Sequence, residues 1–328
     1  MPLREKALIA EIRRMAGSSM HGKKRSRNPI VAGIGDDCAV LRSVVGCEFL
    51  VTTDFTLEGV HFRRDWHPPE SVGHRCLARG LSDIAAMGGA AVAVFLSLAT
   101  PRNLPQSWVR LFVSSIITLA EKHGATLAGG DTAESPGGIL ADIIVIGSVP
   151  KGRAILRSGA KPRDRIYVSG ELGGSAAAIT DLHTQLKKRA NPRAYPRHFY
   201  PEPRLELGRI LREKNLASAM IDTSDGLSTD LAHICEESGV GAEIDSSTIP
   251  LASVGKPARE VDLELALHGG EDYELLFTAP RGKRIPNRLA GVRINHIGRI
   301  TKSRQIILRN SLGDASKLLP KGWEHFRK

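Results

Sequence analysis

Apolar residues follow two different periods along the chain. Runs of apolar and β-branched residues predict strands over 48–53, 91–98, 126–128, 139–149, 165–169 and 217–221. Apolar residues spaced three and four positions apart predict amphipathic helices over 3–15, 70–87 and 105–123. Pro105 at the start of the third helix and Gly124 just past its end fit the usual helix boundaries. Strands and helices do not alternate regularly, so the pattern favours α+β domains over a doubly wound sheet.

The length of the chain allows two domains, because 328 residues suffice for two separate cores of ordinary size. The long predicted strand 139–149 is followed by a turn at Pro150-Lys151-Gly152. We therefore predict an N-terminal α+β domain over residues 1–150 and a C-terminal α+β domain over 151–328.

Composition and cysteine spacing indicate a protein of the reducing cytoplasm. The chain is 41% hydrophobic and 25% charged, and its four cysteines are far apart. No C-x-x-C pair is present, which argues against a zinc site or a disulfide framework. The most apolar run, 84–99, is shorter than the roughly 20 residues of a membrane-spanning helix. We expect a cytoplasmic location and no membrane partner.

The net charge of +11 suits an anionic partner, either nucleic acid, an anionic membrane or a phosphorylated small molecule. Lys23-Lys24-Arg25-Ser26-Arg27 and Lys187-Lys188-Arg189 are the local basic clusters. Only 5% of the residues are aromatic, and none are interleaved with the basic runs. A stacking platform for single strands is therefore not expected, and we predict no nucleic-acid partner.

Aspartates recur at the ends of apolar runs and at helix entries. The motifs are Gly33-Ile34-Gly35-Asp36-Asp37, Thr52-Thr53-Asp54, Leu81-Ser82-Asp83, Gly129-Gly130-Asp131 and Asp222-Thr223-Ser224-Asp225-Gly226. Each alone is also compatible with a plain turn or a helix N-cap. Together they predict carboxylates delivered to one site for several hard cations such as Mg²⁺. No G-x-x-x-x-G-K-[ST] loop and no complete dinucleotide fingerprint accompany them.

Seven motifs in order resemble the thiamine-monophosphate kinase family from about Gly33 to Phe326. Gly59-Val60-His61-Phe62 belongs to the same motif as Thr53-Asp54. The two motifs beyond the aspartate motifs are Arg157-Ser158-Gly159-Ala160-Lys161-Pro162 and Gly269-Gly270-Glu271-Asp272-Tyr273-Glu274. The resemblance implies ATP-dependent phosphorylation of thiamine monophosphate to thiamine diphosphate, with ATP as co-substrate and several Mg²⁺ ions. It also implies the aminoimidazole ribonucleotide synthetase architecture, in which N-terminal domains pair into a dimeric β-barrel. The partners it implies are the two substrates and a second copy of the chain.

The resemblance also assigns site residues by position. It assigns metal binding to Asp37, Thr52, Thr53, Asp54, Asp83, Asp131, Asp222 and Asp225. It assigns ATP binding to Gly130, Asp131, Arg157 and Ser224, and binding of thiamine monophosphate to His61, Glu271 and Trp323. No residue is expected as a general base. The N-terminal domain would carry ATP, metal and dimer contacts, and the C-terminal domain would complete the active site.

The chain departs from the family pattern at Thr52, where serine is frequent, at Arg79-Gly80 before Leu81, and in the basic loop 22–27. Threonine keeps the hydroxyl, so the first departure weakens the assignment little. The alternatives are other ATP-using enzymes of the same superfamily, selenophosphate synthetase or a hydrogenase maturase, and a basic nucleic-acid-binding module. The first would need a reactive cysteine near the N-terminus, but residues 1–37 contain none.

Overall fold

A computed structural model of the chain describes residues 10–16, 30–32, 34, 39–43, 45–184 and 191–323. The chain divides into two compact units. The first comprises Met1–Ile84 and Gly89–Gly152, and the second comprises Ala85–Gly88 and Arg153–Lys328.

The first unit is built on a four-stranded sheet in the order β3-β6-β4-β5. Only β4 and β5 run parallel within it. Its elements are α1 (residues 10–16 described), β1 (Ile30–Ala32), β2 (Val40–Leu41), β3 (Cys47–Leu57), α2 (Pro69–Ala86), β4 (Ala90–Thr100), α3 (Gln106–Lys122), β5 (Thr126–Glu134) and β6 (Leu140–Pro150).

The two faces of this sheet differ in burial. On β6, Ala141, Ile143 and Val145 are fully buried. Helix α2 covers this face closely, because a Cβ built on Gly80 would lie only 2.7 Å from Val145 Cγ2. On the opposite face of β3, apolar side chains are exposed: Phe49 by 51%, Val51 by 68% and Phe55 by 57%. The sheet therefore has one packed face and one uncovered apolar face within the described chain.

The second unit contains an eight-stranded mixed sheet with the central order β16-β15-β9-β14-β7-β12-β8, and β13 pairs with β14. Its helices are α4 (Gly174–Thr184), α5 (Pro196–Phe199), α6 (Leu205–Glu213), α7 (Leu227–Ser238) and α8 (Leu263–His268). Its strands are β7 (Arg165–Ser169), β8 (Ala219–Asp222), β9 (Gly241–Asp245), β10 (Ser253–Val254), β11 (Arg259–Glu260), β12 (Leu275–Ala279), β13 (Arg288–Leu289), β14 (Val292–Thr301), β15 (Ile306–Arg309) and β16 (Ala315–Lys317).

One face of this larger sheet packs against α7 and α8. Ile166 and Leu276 from the strands are buried in one cluster with Leu231 and Ile234 of α7 and Leu267 of α8. Burial of such aliphatic side chains is worth about 1.5–3 kcal/mol each. This core fixes the start of α7, where several of the predicted site residues lie.

The predicted α+β class and the helices over 70–87 and 105–123 are confirmed to within two residues. Two strand ends were wrong. Asp54 does not follow β3 but lies within it, and Asp131 lies inside β5 rather than after it. Both strands continue because β3 stays paired with β6 at Asp54, and β5 stays paired with β4 at Asp131. Among the described residues, no helix is long and apolar enough to cross a membrane.

Candidate functional site

Thr52, Asp54 and Asp83 form a polar group between β3 and α2 in the first unit. The Thr52 hydroxyl donates a hydrogen bond to Asp83 Oδ2. Asp54 Oδ1 lies 3.7 Å from Nε of Arg79. Arg79 and Asp83 are four residues apart on α2, so they share one face of the helix. The structure thus brings together three of the predicted metal-site residues.

The carboxylate of Asp54 is electrostatically unfavourable as it stands. Its Oδ2 is shielded from solvent and has no hydrogen-bond partner in the described part of the chain. Burial, followed by the charge of Asp83, raises its pKa to about 7 against the opposing charge of Arg79, and Asp142 adds a smaller upward effect. A cation beside this oxygen would replace the missing partner, since a nearby positive charge favours the ionised form.

A second polar group lies on the opposite, exposed face of the same sheet. Ser97 of β4 pairs with both Asp131 and Asp142, which places the two carboxylates on one face of the sheet. The Thr53 hydroxyl donates to Asp142 Oδ1 over 2.7 Å. The side chains of Thr52 and Thr53 therefore lie on opposite faces of the sheet. Asp142 was missed by the sequence analysis, although a single aspartate inside the apolar run 139–149 was a usable signal.

The backbone conformation at Gly130, a predicted nucleotide contact, requires glycine. Its φ is +148°, and a Cβ at this position would lie 1.9 Å from the carbonyl oxygen of Leu96. No side chain fits there without moving β4, so glycine keeps Asp131 in place on β5.

His61 follows β3 in the loop before α2. Its Nδ1 accepts a hydrogen bond from the backbone N–H of Leu57 over 2.9 Å. Nδ1 is therefore the acceptor, and in the neutral ring the proton is carried by Nε2. The ring is half-buried, and the contact holds it in a fixed orientation.

In the second unit, two loops join predicted site residues through their backbones. Asp222 ends β8 and is buried. The N–H of Glu271 donates to the carbonyl oxygen of Ser224 over 2.8 Å, and the N–H of Tyr273 donates to that of Thr223 over 2.9 Å. Glu271 and Tyr273 have φ values of +65° and +51°, an unusual conformation for residues with side chains. Strain of this kind persists where the surroundings enforce it, often at binding sites.

Trp323 is attached to the same loop system. Its backbone N–H donates to the carbonyl oxygen of Asp225 over 3.0 Å, and the backbone N–H of Gly322 donates to Thr229 Oγ1 over 3.0 Å. The Trp323 side chain remains 56% exposed. Five predicted residues from three distant parts of the sequence therefore lie together at the start of α7: Asp222, Ser224, Asp225, Glu271 and Trp323.

Asp230, which was not predicted as a site residue, stabilises the backbone of this loop. It is fully buried, and its Oδ2 accepts a hydrogen bond from the N–H of Gly226 over 3.0 Å. Burial, followed by the charges of Asp222 and Asp225, raises its pKa well above the usual value. The spacing Gly226-x-x-x-Asp230 was a weak sequence signal, because it also fits an ordinary first helical turn.

Arg157 lies apart from this group. Its carbonyl oxygen accepts a hydrogen bond from Ser238 at the far end of α7. The 12 residues of α7 span about 18 Å. The two predicted nucleotide contacts Arg157 and Ser224 are therefore at opposite ends of one helix.

The predicted convergence of aspartates is present only in part. Asp37 lies outside the described residues. Within the described ranges, no three acidic, histidine or cysteine side chains are close enough together to hold a metal ion by themselves. Of the predicted aspartates, Asp54 lies near Asp83 in the first unit, and Asp222 and Asp225 both lie near Asp230 in the second.

Comparisons with known proteins cover most of the chain. Residues 35–149 match the AIR synthase related protein, N-terminal domain, and residues 161–309 match the AIR synthase related protein, C-terminal domain. Thiamine-monophosphate kinase of Escherichia coli strain K12 is 38% identical over 312 residues, which are 92% of this chain and 94% of that protein.

Two solved structures show the same fold at similar identity. Thiamine-monophosphate kinase from Stenotrophomonas maltophilia K279a is 33% identical, with a TM-score of 0.78 over 96% of this chain and 99% of that chain. AaThiL complexed with AMPPCP and TMP is 30% identical, with a TM-score of 0.76 over 99% of this chain and 100% of that chain.

Proposed function

The chain belongs to the thiamine-monophosphate kinase family of the AIR synthase related proteins, and we propose that it transfers the γ-phosphoryl group of ATP to thiamine monophosphate, forming thiamine diphosphate. The observation that carries the proposal is the match to AaThiL with AMPPCP and TMP over nearly the full length of both chains. The identity to thiamine-monophosphate kinase of Escherichia coli, 38% over 92% of this chain, favours this function over the superfamily alternatives and over a nucleic-acid-binding module.

The chemistry requires positioning rather than a general base. A phosphate monoester has a second pKa of about 6, so the attacking oxygen is already largely anionic at neutral pH. The obstacle is repulsion between this anion and the phosphates of ATP, and phosphoryl transfer is catalysed mainly by alignment and electrostatic stabilisation. We propose direct in-line transfer, with no covalent intermediate on the protein.

Magnesium fits the group around Asp54. The unpartnered Oδ2 of Asp54 and the neighbouring Asp83 supply carboxylate oxygens, and Thr52 supplies a hydroxyl. Hard oxygen donors of this kind suit Mg²⁺. When bound, the ions would neutralise phosphate charge. We propose Asp37, Thr53 and Asp131 in the first unit, and Asp222 and Asp225 in the second, as further metal ligands.

The remaining predicted contacts are proposed as substrate-binding residues. Gly130, Ser224 and Arg157 would contact the nucleotide, the last through its planar guanidinium fork. His61, Glu271 and Trp323 would contact thiamine monophosphate. The exposed indole of Trp323, held beside Asp225 by its backbone, suits the positively charged thiazolium ring.

We propose that two copies pair through their N-terminal units, as the dimeric barrel of this superfamily implies. The support is the exposed face of β3, where Phe49, Val51 and Phe55 are each more than half exposed. Contiguous apolar patches of this kind mark interaction surfaces. We place the enzyme in the cytoplasm, where the free thiols of Cys47, Cys76 and Cys235 would stay reduced.

The function is tested by following ADP release with a coupled assay in the presence of Mg²⁺. ADP should form with thiamine monophosphate and not with thiamine, because thiamine lacks the anionic acceptor oxygen. Equal rates with both compounds, or a rate unaffected by either, would refute the assignment. Asp65→Asn, which changes an exposed aspartate of the same unit, is a matched control for variants of Asp54 and Asp83.

A further inference from the structure

A concavity with several basic side chains in its lining lies in the C-terminal unit, at the opposite end of the strands from Asp222. On β12, Leu275 pairs with Asp222, whereas Ala279 pairs with Arg165 at the concavity. Four residue steps along a strand cover about 13 Å. The concavity is therefore distinct from the loop system that holds Ser224, Asp225 and Glu271.

Its lining is strongly basic. The concavity has a volume of about 650 Å³. Among the described residues that line it none is acidic, and five carry a positive charge: Arg163, Arg165, Arg281, Arg299 and Lys302. Arg157, the proposed nucleotide contact, is not one of the lining residues.

Two of these arginines face each other across neighbouring strands. Arg165 of β7 is the direct partner of Arg299 of β14. Like charges directly opposite each other destabilise a sheet. Glu243 lies 3.1 Å from Arg299, but the same carboxylate also accepts a hydrogen bond from Arg309 over 2.7 Å. One carboxylate thus serves two arginines, and a positive excess remains at the concavity.

The loop that carries Arg163 is fixed in an unusual conformation. Arg163 has a φ of +81°, in the left-handed region that favours glycine. Its N–H donates to the carbonyl oxygen of Ile300 over 2.9 Å, and the N–H of Ile300 donates to that of Asp164 over 2.8 Å. These two bonds attach the loop to β14 next to Arg299. Arginine is thereby held at a position where its backbone is strained.

We propose that this concavity binds a small polyphosphorylated anion through a di- or triphosphate group. Arginine forks match phosphate oxygens in pairs, and an anion between Arg165 and Arg299 would remove their mutual repulsion. The volume is that of a small-ligand site rather than of a surface for a duplex. Tyr167, the aromatic residue next to His296 on this face, is buried and offers no exposed stacking surface. The phosphate chain is therefore the recognised feature.

The test is calorimetric titration of the full-length protein with tripolyphosphate in EDTA, so that no cation draws the anion to the acidic site. Wild type should bind with a dissociation constant below about 100 µM. The double variant R165A/R299A should bind at least tenfold more weakly, because two charge-assisted contacts are lost. Arg193→Ala, an exposed arginine of the same unit outside the lining, is the matched control and should bind as wild type does.

A second variant, Arg281→Ala, lies after β12 and leaves every sheet pairing intact, so it covers the case in which the double variant does not fold. It should also weaken binding. The variants should leave KM for ATP unchanged, which separates this site from the kinase site. Absence of wild-type binding, or equal binding by all variants, would overturn the proposal. Tighter binding of a 20-nucleotide RNA than of tripolyphosphate, lost in R165A/R299A, would assign the surface to nucleic acid and overturn it as well.

Discussion

Replacing Asp54 by asparagine should abolish phosphoryl transfer and at the same time stabilise the metal-free protein. The two effects have one cause. Asp54 is held in a partly buried position near Asp83, where its charge is unfavourable until a cation is bound. Asparagine has a similar shape and no charge, so it removes both the metal ligand and the unfavourable charge.

The size of the effect follows from the pKa of Asp54, which the structure raises from 3.8 to about 7. Between these pH values the unfolded chain has released the proton and the folded chain has kept it. Stability contributed by this group therefore falls as pH rises from about 4, and the loss is complete above about pH 7. At 1.36 kcal/mol for a tenfold change in proton affinity, the difference between a pKa of 3.8 and one of about 7 gives an upper bound of about 4 kcal/mol. Water still reaches the side chain, which is 23% exposed, so we expect about half of this bound.

The assay is urea denaturation of wild type and Asp54→Asn in EDTA at pH 5 and pH 8. The variant should be more stable by about 2 kcal/mol at pH 8, with a smaller gain at pH 5. Added Mg²⁺ should stabilise wild type and not the variant. Asp65→Asn should show no gain, because the hydrogen bond from Arg63 lowers the pKa of Asp65. A variant that is equally or less stable than wild type at pH 8 would refute this reasoning.

Four further predictions follow from the site. Trp323→Ala should raise KM for thiamine monophosphate roughly threefold to thirtyfold, as a cation–π contact of about 0.5–2 kcal/mol implies, and leave KM for ATP nearly unchanged; parallel changes in both would make Trp323 a packing residue. Asp131→Asn should abolish transfer in a folded protein, and near-normal turnover at saturating Mg²⁺ would remove it from the metal site. Val51→Glu, at a position 68% exposed on β3, should give a monomer by light scattering where wild type is a dimer; an unchanged mass would place any dimer contact elsewhere. Labelled γ-phosphate should not remain on the denatured protein after incubation with ATP alone, and retained label would contradict direct transfer.

The sequence identified residues whose chemistry is unusual for their surroundings. Asp222 and Asp225 were found because aspartates recur at the ends of apolar runs and at helix entries, whereas Glu271 was assigned only by the family resemblance; the structure joins their loops by backbone hydrogen bonds. The ends of β3 and β5 were wrong because Thr53-Asp54 and Gly130-Asp131 break the apolar pattern while the strands continue through pairing with neighbours. The pattern of apolar and polar residues within one segment does not show which neighbouring strand it pairs with.

Other features depend on partners that are distant in the sequence. Asp142 is notable only because the register of β6 places it near Thr53 and opposite Ser97. The parallel pairing of β9 with β15 and the facing arginines Arg165 and Arg299 likewise depend on register between strands far apart along the chain. Register is set by the packing of whole sheets, so residue spacing within one segment does not reveal it.

The most direct measurement is ³¹P NMR of a reaction containing ATP, Mg²⁺ and thiamine monophosphate. We predict that the γ-phosphate signal of ATP is replaced by the β-phosphate signal of thiamine diphosphate, with ADP formed in equal amount and no intermediate. Inorganic phosphate as the main product would instead identify a hydrolase. AMP appearing together with a diphosphate transferred in one step would identify a different group-transfer reaction, and either result would contradict the kinase assignment.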